Sequence, residues 1–198
     1  MKKSVLIQAD WTQYLIYLYF GKGEPLSCCL DRAYRDFNRT LHGIGNTENN
    51  EELYTAGKRY LRDRIVLLRN STDDIDQAIF DNWHKNTCHG LCELYEKNRF
   101  ANFHIGQAQK WVNMTLKYIF TYGEKKLPGY SKIYNFCHVP IDNNILDGIE
   151  RYNAPAITGK WSRISSYDEY FKLQRWFREK FELIPLEAEF KLWQGEMP

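Results

Sequence analysis

The chain lacks most of the features that place a protein quickly, and each absence removes a class. No apolar run approaches the roughly 20 residues that span a bilayer, and Tyr14 to Phe20 is far too short, so no membrane span is expected. None of the patterns GxxxxGK[ST], GxGxxG, HExxH or GxSxG occurs, which leaves nucleotide triphosphatase, dinucleotide enzyme, zinc protease and α/β-hydrolase readings without support. Cysteines are few and odd in number, Cys28, Cys29, Cys88, Cys92 and Cys137, so a disulfide framework is not expected. Met1-Lys2-Lys3 leads into a short apolar stretch interrupted by Gln8 and Asp10, which is not the pattern of a signal peptide. These features give the expectation of a reduced, cytoplasmic protein. The charge is nearly balanced, with a formal net charge of +2. That argues against a polybasic nucleic-acid binder but leaves room for a local basic face, because phosphate affinity follows the grouping of cations.

What is present points to helices around one core. A length of 198 residues suits one domain, expected over 1–198, with lobes 1–100 and 101–198 as a subdivision. Six Trp, fourteen Tyr and eleven Phe supply a large apolar area for burial. Trp11 to Phe20 reads as a buried helix or strand, closed by Gly21-Lys22-Gly23-Glu24-Pro25. Ser27 to Leu41 and Glu51 to Leu68 carry helical apolar stripes, separated by a break at Gly43-Ile44-Gly45-Asn46. Ser71-Thr72-Asp73-Asp74 supplies capping residues for the next helix, whose apolar face runs from Ile75 to Tyr95. Ala108 to Tyr122 is the most apolar helix, ended by Gly123. A short helix follows Asp142, another begins at Ser166-Tyr167-Asp168-Glu169, and a last one covers Pro185 to Trp193. The expected class is all-α.

The segment from His104 to Ile145 is the most informative. It sets the turn His104-Ile105-Gly106-Gln107 and Lys110 at the head of the apolar helix, places Lys117-Tyr118 further along it, and ends in Val139-Pro140-Ile141-Asp142. This arrangement resembles the active-site segment of the helix-hairpin-helix DNA glycosylases, and more closely the archaeal 8-oxoguanine glycosylase/lyase branch. The resemblance covers about a fifth of the chain. The family's hairpin usually has two glycines, and Phe103-His104-Ile105-Gly106 keeps one. The resemblance implies base excision from double-stranded DNA carrying a damaged or modified base, with or without nicking at the abasic site, and without cofactor or metal. Lys110 would be the nucleophile and Asp142 the carboxylate. An amine can attack C1′ and form a Schiff base, while a carboxylate stabilises the positive charge that builds on the sugar. Gly106 and Gln107 at the helix start would meet a phosphate, and Lys117 and His138 would contact the substrate. Trp161, the one tryptophan of Trp111, Trp161, Trp176 and Trp193 expected in a loop, would wall the pocket for the flipped base.

Other readings stand beside this one. Pro-x-Asp is a common helix start, so Asp142 is also expected to cap the helix that follows. His138 alone reads more naturally as a structural hydrogen-bonding residue. His84, Cys88 and Cys92 lie at i, i+4, i+8 spacing and could hold a metal with His138, though buried small residues are the simpler account. Lys58, Arg59, Arg62, Arg64 and Arg69 interleave with Asp63 and Glu52, which predicts a solvated helix face with i,i+4 ion pairs. Lys125, Lys126 and Lys132 are placed to touch phosphate. The competing class is a non-catalytic helical module that binds nucleic acid or protein. In an enzyme Lys110 and Asp142 must converge on one cleft, and in a binding module they need not.

Overall fold

Side chains that accept from free N–H groups open several of the helices. In a computed structural model that describes residues 8–71, 74–196 and 198, Glu24 accepts from the backbone N–H of Leu26 and Ser27 at 3.1 and 2.8 Å and starts α2, Pro25–Phe37. Pro25 at the first helical position has no N–H to satisfy. Asp76 accepts from Ile79 at 2.8 Å and starts α4, Gln77–Lys97. Ser166 accepts from Glu169 and starts α7, Tyr167–Lys180. The remaining helices are α1, Gln8–Phe20; α3, Asn50–Asn70; α5, Ile105–Tyr122; α6, Asn143–Ile149; and α8, Pro185–Trp193. Short 3-10 turns include Asn38–Thr40, which prolongs α2, and Trp161–Arg163. No strand occurs among the described residues, and no helix among them is long and apolar enough to cross a membrane.

The helix α5 lies at the centre. Every residue from Ile105 to Leu116 is buried, and a helix covered on all sides belongs in the middle of a protein. It packs chiefly against α2 and α4, and the buried apolar side chains from α2 to α8 form one continuous cluster. Trp111 of α5 is fully buried and donates its indole N–H to the Leu30 carbonyl of α2 at 3.1 Å. Truncating such a residue costs about 3–5 kcal/mol. The position of α5 has a second consequence: its polar residues Gln107, Gln109, Lys110, Asn113 and Thr115 are buried too, and each must find a partner inside the protein.

Three expectations change. Trp11 to Phe20 is helical but not buried. Trp11, Tyr14, Leu15, Tyr17, Leu18 and Tyr19 are all exposed, and Phe20 alone is buried, against Tyr118 and Tyr122. An apolar run reports a tendency to be covered, not what is available to cover it. The cap of α4 is Asp76 rather than Ser71 or Asp74, and Thr72 and Asp73 lie outside the described residues. The cations of α3 pair across to the preceding segment instead of along their own helix: Lys58 meets Asp31, and Arg62 meets Glu24 at 2.9 Å.

Candidate active site

Lys110 and Asp142 come together. Lys110 Nζ lies 2.5 Å from Asp142 Oδ2, and the two side chains are 4% and 15% exposed. Asp142 divides its oxygens, for Oδ1 accepts from the Ile145 N–H at 3.0 Å and caps α6. The cap reading and the lysine partnership therefore both hold, each on its own oxygen. The pair borders a cleft of about 550 Å³, within the range of small-ligand sites. One wall is the α5 stripe Lys110, Met114 and Lys117; the opposite wall is Arg32 and Arg35 of α2 with Arg39 beyond it. Asn144, Tyr19 and Trp193 complete the rim. A larger hollow of about 910 Å³ lies where the start of α3 meets the end of α4. Its charged side chains, Glu48, Glu52, Arg59, Lys97 and Arg99, are all exposed, so it offers no buried reactive pair, and the smaller cleft is the candidate.

Lys117 enters the cleft from the next turns of α5. Its ammonium sits 2.6 and 2.7 Å from the two oxygens of Glu189 on α8 and over the rings of Phe190 and Trp193. Burial pushes the Glu189 carboxyl above the ordinary carboxylate range, against the pull of Lys117. Asp36 also faces the cleft, accepting from the Tyr118 hydroxyl at 2.5 Å.

Four expected site residues stand elsewhere. Gly106 is buried and its N–H is already bonded to the Ile164 carbonyl at 3.0 Å, so it is not free for a phosphate. Glycine is required there because a Cβ would run into the Trp161 carbonyl. Gln107 is buried; its Oε1 accepts from the His104 N–H at 2.8 Å and its Nε2 donates to Thr40. That ties the start of α5 to the end of the turn carrying Arg39. Trp161 is buried in its own 3-10 turn, and the tryptophan at the cleft is the half-exposed Trp193 of α8. His138 is fully buried behind the site. Lys125, Lys126 and Lys132 do not line the cleft, and Lys132 donates to the Ser71 carbonyl at 2.6 Å.

What holds Asp142 in place is a pair of buried glutamines. Gln174 of α7 accepts from the Val139 N–H at 2.8 Å and donates to the Val139 carbonyl at 2.9 Å. Gln109 of α5 does the same for Ile141, at 3.1 and 2.8 Å. The extended segment thus receives from side chains the pairing that a neighbouring strand would give it. Gln109 also adjoins Lys110 in sequence, so one turn of α5 fixes both the segment and its partner.

Gln109 is further linked to a buried polar chain. Asn113 Nδ2 donates to Gln109 Oε1 and to the Tyr170 hydroxyl, at 3.1 and 2.9 Å. Tyr170 then donates to His138 Nδ1 at 2.8 Å, and His138 Nε2 donates to Asp81 Oδ1 at 2.7 Å. Arg178 meets both Asp81 oxygens, at 2.8 and 2.7 Å. On the other side His84 Nε2 donates to Asn113 Oδ1 at 2.9 Å and His84 Nδ1 accepts from Tyr167 at 2.8 Å. These directions satisfy every member with both histidines neutral and the proton on Nε2. Neither ring has a nitrogen to spare for a metal. Cys88 lies behind His84, its Sγ 3.7 Å from Nδ1, and no group of three His, Cys, Asp or Glu among the described residues is arranged to hold an ion.

This chain makes stability depend on pH. Burial, aided by the Arg178 charge and only partly opposed by Asp81, lowers His138 to about 4. Burial and the neighbouring His138 put His84 well below its ordinary value. Between about pH 6.5 and 4 the unfolded chain therefore binds protons that the folded chain refuses. Stability is complete above pH 6.5 and falls on acidification, with a slope of up to about 1.4 kcal/mol per pH unit for each histidine. Burial would raise Asp81, but hydrogen bonds from His138 and Arg178 take it far below the usual carboxylate range. Its contribution is lost only at still lower pH. Urea unfolding at pH 7.5, 6 and 5 should give this decline, with a shallower slope in His138→Gln; equal stability at all three would refute it.

Comparison of the chain with family models, with curated proteins and with solved structures returns no match. The class that fold and site define is a helical protein with a lysine–carboxylate pair on the floor of a basic cleft.

Proposed function

We propose that the chain is a DNA base-excision glycosylase of the helix-hairpin-helix kind with abasic-site lyase activity, acting through Lys110 and Asp142. The observation that carries this reading is the 2.5 Å contact between Lys110 Nζ and Asp142 Oδ2 beside a cleft whose walls are cationic. In this reading α4, the connection 98–104 and α5 stand for the two helices and hairpin of the motif.

The chemistry follows from the pair. Asp142 takes a proton from the Lys110 ammonium, leaving a lone pair on Nζ. That lone pair attacks C1′ of a flipped nucleotide, the N-glycosidic bond breaks, and its electrons leave with the base, which receives the proton from Asp142. The C1′–O4′ bond then breaks and O4′ takes a proton from Nζ, giving the Schiff base. The Asp142 carboxylate, having given its proton to the base, takes one from C2′, and the C2′–C3′ double bond that forms expels the 3′ phosphate. The Asp142 carboxylate faces the positive charge that develops on the sugar, and the aromatic rim around Trp193 and Tyr19 faces an extruded base.

Borohydride reduction tests the reading on duplexes that each carry a single damaged or modified base. Wild type is expected to give a covalent adduct, and Lys110→Gln is expected to give none. Absence of any adduct and of base release with wild type across the panel would refute the lyase and favour the binding module.

A further inference from the structure

The cations of the cleft divide into two kinds. The lysines are neutralised in its depth, Lys110 by Asp142 and Lys117 by Glu189. Of the arginines, Arg32 has one carboxylate within ion-pair distance and the other two have none. Arg35 and Arg39 are exposed at the mouth and have no ion-pair partner among the described residues. Arg32 lies deeper, its guanidinium 4.1 Å from the centre of the Tyr19 ring. Its Nε is buried without a hydrogen-bond partner, the nearest carboxylate oxygen being Asp36 Oδ1 at 3.8 Å. Asp36 is a weak counter-charge, since burial raises its pKa and the Tyr118 hydroxyl already occupies its other oxygen. Elsewhere on this part of the protein, Lys58 and Arg62 both have carboxylate partners. Within the cleft, the cations without an ion-pair partner are thus Arg35 and Arg39, of the residue type whose planar, multiple donors suit phosphate oxygens.

The spacing orders these three residues. Arg32, Arg35 and Arg39 are three and four residues apart, so they form one row along α2 and its 3-10 extension. The row faces the α5 stripe that holds Lys110. Gln107 ties the end of the row to the start of α5 through Thr40, so the distance between row and nucleophile is fixed by the fold.

We infer that the Arg32–Arg35–Arg39 row grips the phosphodiester backbone of DNA next to the nucleotide presented to Lys110. This inference rests on the glycosylase reading for its ligand. It moves the phosphate contact from Gly106 and the Lys125–Lys132 turn to α2.

Anisotropy titration of a labelled duplex containing a tetrahydrofuran abasic analogue, over roughly 50 to 200 mM salt, tests it. Each phosphate contact contributes a slope of about −0.9 in log K against log salt. Arg35→Ala/Arg39→Ala is expected to weaken binding by about tenfold to a hundredfold and to make the slope shallower by about 1.8. Both side chains are exposed, and an unchanged melting temperature verifies the fold. Lys125→Ala/Lys126→Ala is expected to bind as wild type does. A double arginine variant with wild-type affinity and slope overturns the inference, even where the wild type releases bases. A wild type that does not bind the duplex overturns both readings. Arginine-dependent binding without base release or borohydride adduct on the damaged-base panel supports the grip and removes the glycosylase.

Discussion

Asp142→Asn is expected to lower base release by about a thousandfold, the scale on which a positioned acid–base group acts, with a smaller effect on folding. The two carboxylate oxygens have separate partners, the Ile145 N–H and the Lys110 ammonium. An amide has one oxygen and one NH2, so either the cap or the lysine loses its acceptor. The expected cost is about 1–2 kcal/mol. Asp142→Ala removes both acceptors and leaves a buried ammonium unpaired, which is expected to cost about 3–5 kcal/mol. Lys110→Met/Asp142→Asn separates the roles: it keeps the cap and removes the charge that needs a partner, so it should regain most of the stability and none of the activity. Parallel urea titrations and base-release rates measure both. Restored activity in the double variant would show that neither residue acts in the reaction.

Gly106→Ala should be the most damaging small substitution. The added methyl would meet the Trp161 carbonyl, with the carbonyl carbon of Ser162 close behind. Backbone cannot rotate away as a flexible side chain can. Relief requires the 3-10 turn Trp161–Arg163 to withdraw from α5, and with it the Ile164 carbonyl that accepts the Gly106 N–H. A loss of about 3 kcal/mol is expected, at the upper end for overpacking, which lowers the melting temperature by about 6–12 °C in a protein of this size. Gly45→Ala is the control, because a Cβ there meets nothing within 4 Å. Similar melting temperatures for both variants would contradict the account.

The helices were legible where one physical rule dominates. The apolar run of α5, its end at Gly123, the Asp142 cap and the Ser166 start all follow from periodicity and capping chemistry, and α5 in the structure spans Ile105–Tyr122. The approach of Lys110 to Asp142 was legible only through the resemblance, since nothing local to either residue requires it. Other features depend on which elements become neighbours. His138 and Gln107 are polar in sequence yet buried, because other helices bring Asp81, Tyr170 and Thr40 to them. Trp161 reads as a loop residue, and Trp193 as part of a helical stripe; packing buries the first and leaves the second at the cleft. The row Arg32, Arg35 and Arg39 gave no signal, because it lies far from Lys110 in the chain and gains meaning only when α2 packs on α5. Glu189, Gln109 and Gln174 gave no signal, since a glutamate or glutamine on a helix usually faces water.

The glutamine-held segment determines when the cost of order is incurred. Fixing the backbone of one residue costs about 1–2 kcal/mol of conformational entropy, and residues 139–142 are extended chain with no sheet around them. Because Gln174 and Gln109 bind Val139 and Ile141 on both their N–H and carbonyl sides, that entropy is lost once, when the protein folds. Asp142 is therefore already held in position by the fold itself. In a reaction whose barrier includes aligning the reacting groups, a carboxylate held this way contributes through preorganisation as well as through its charge.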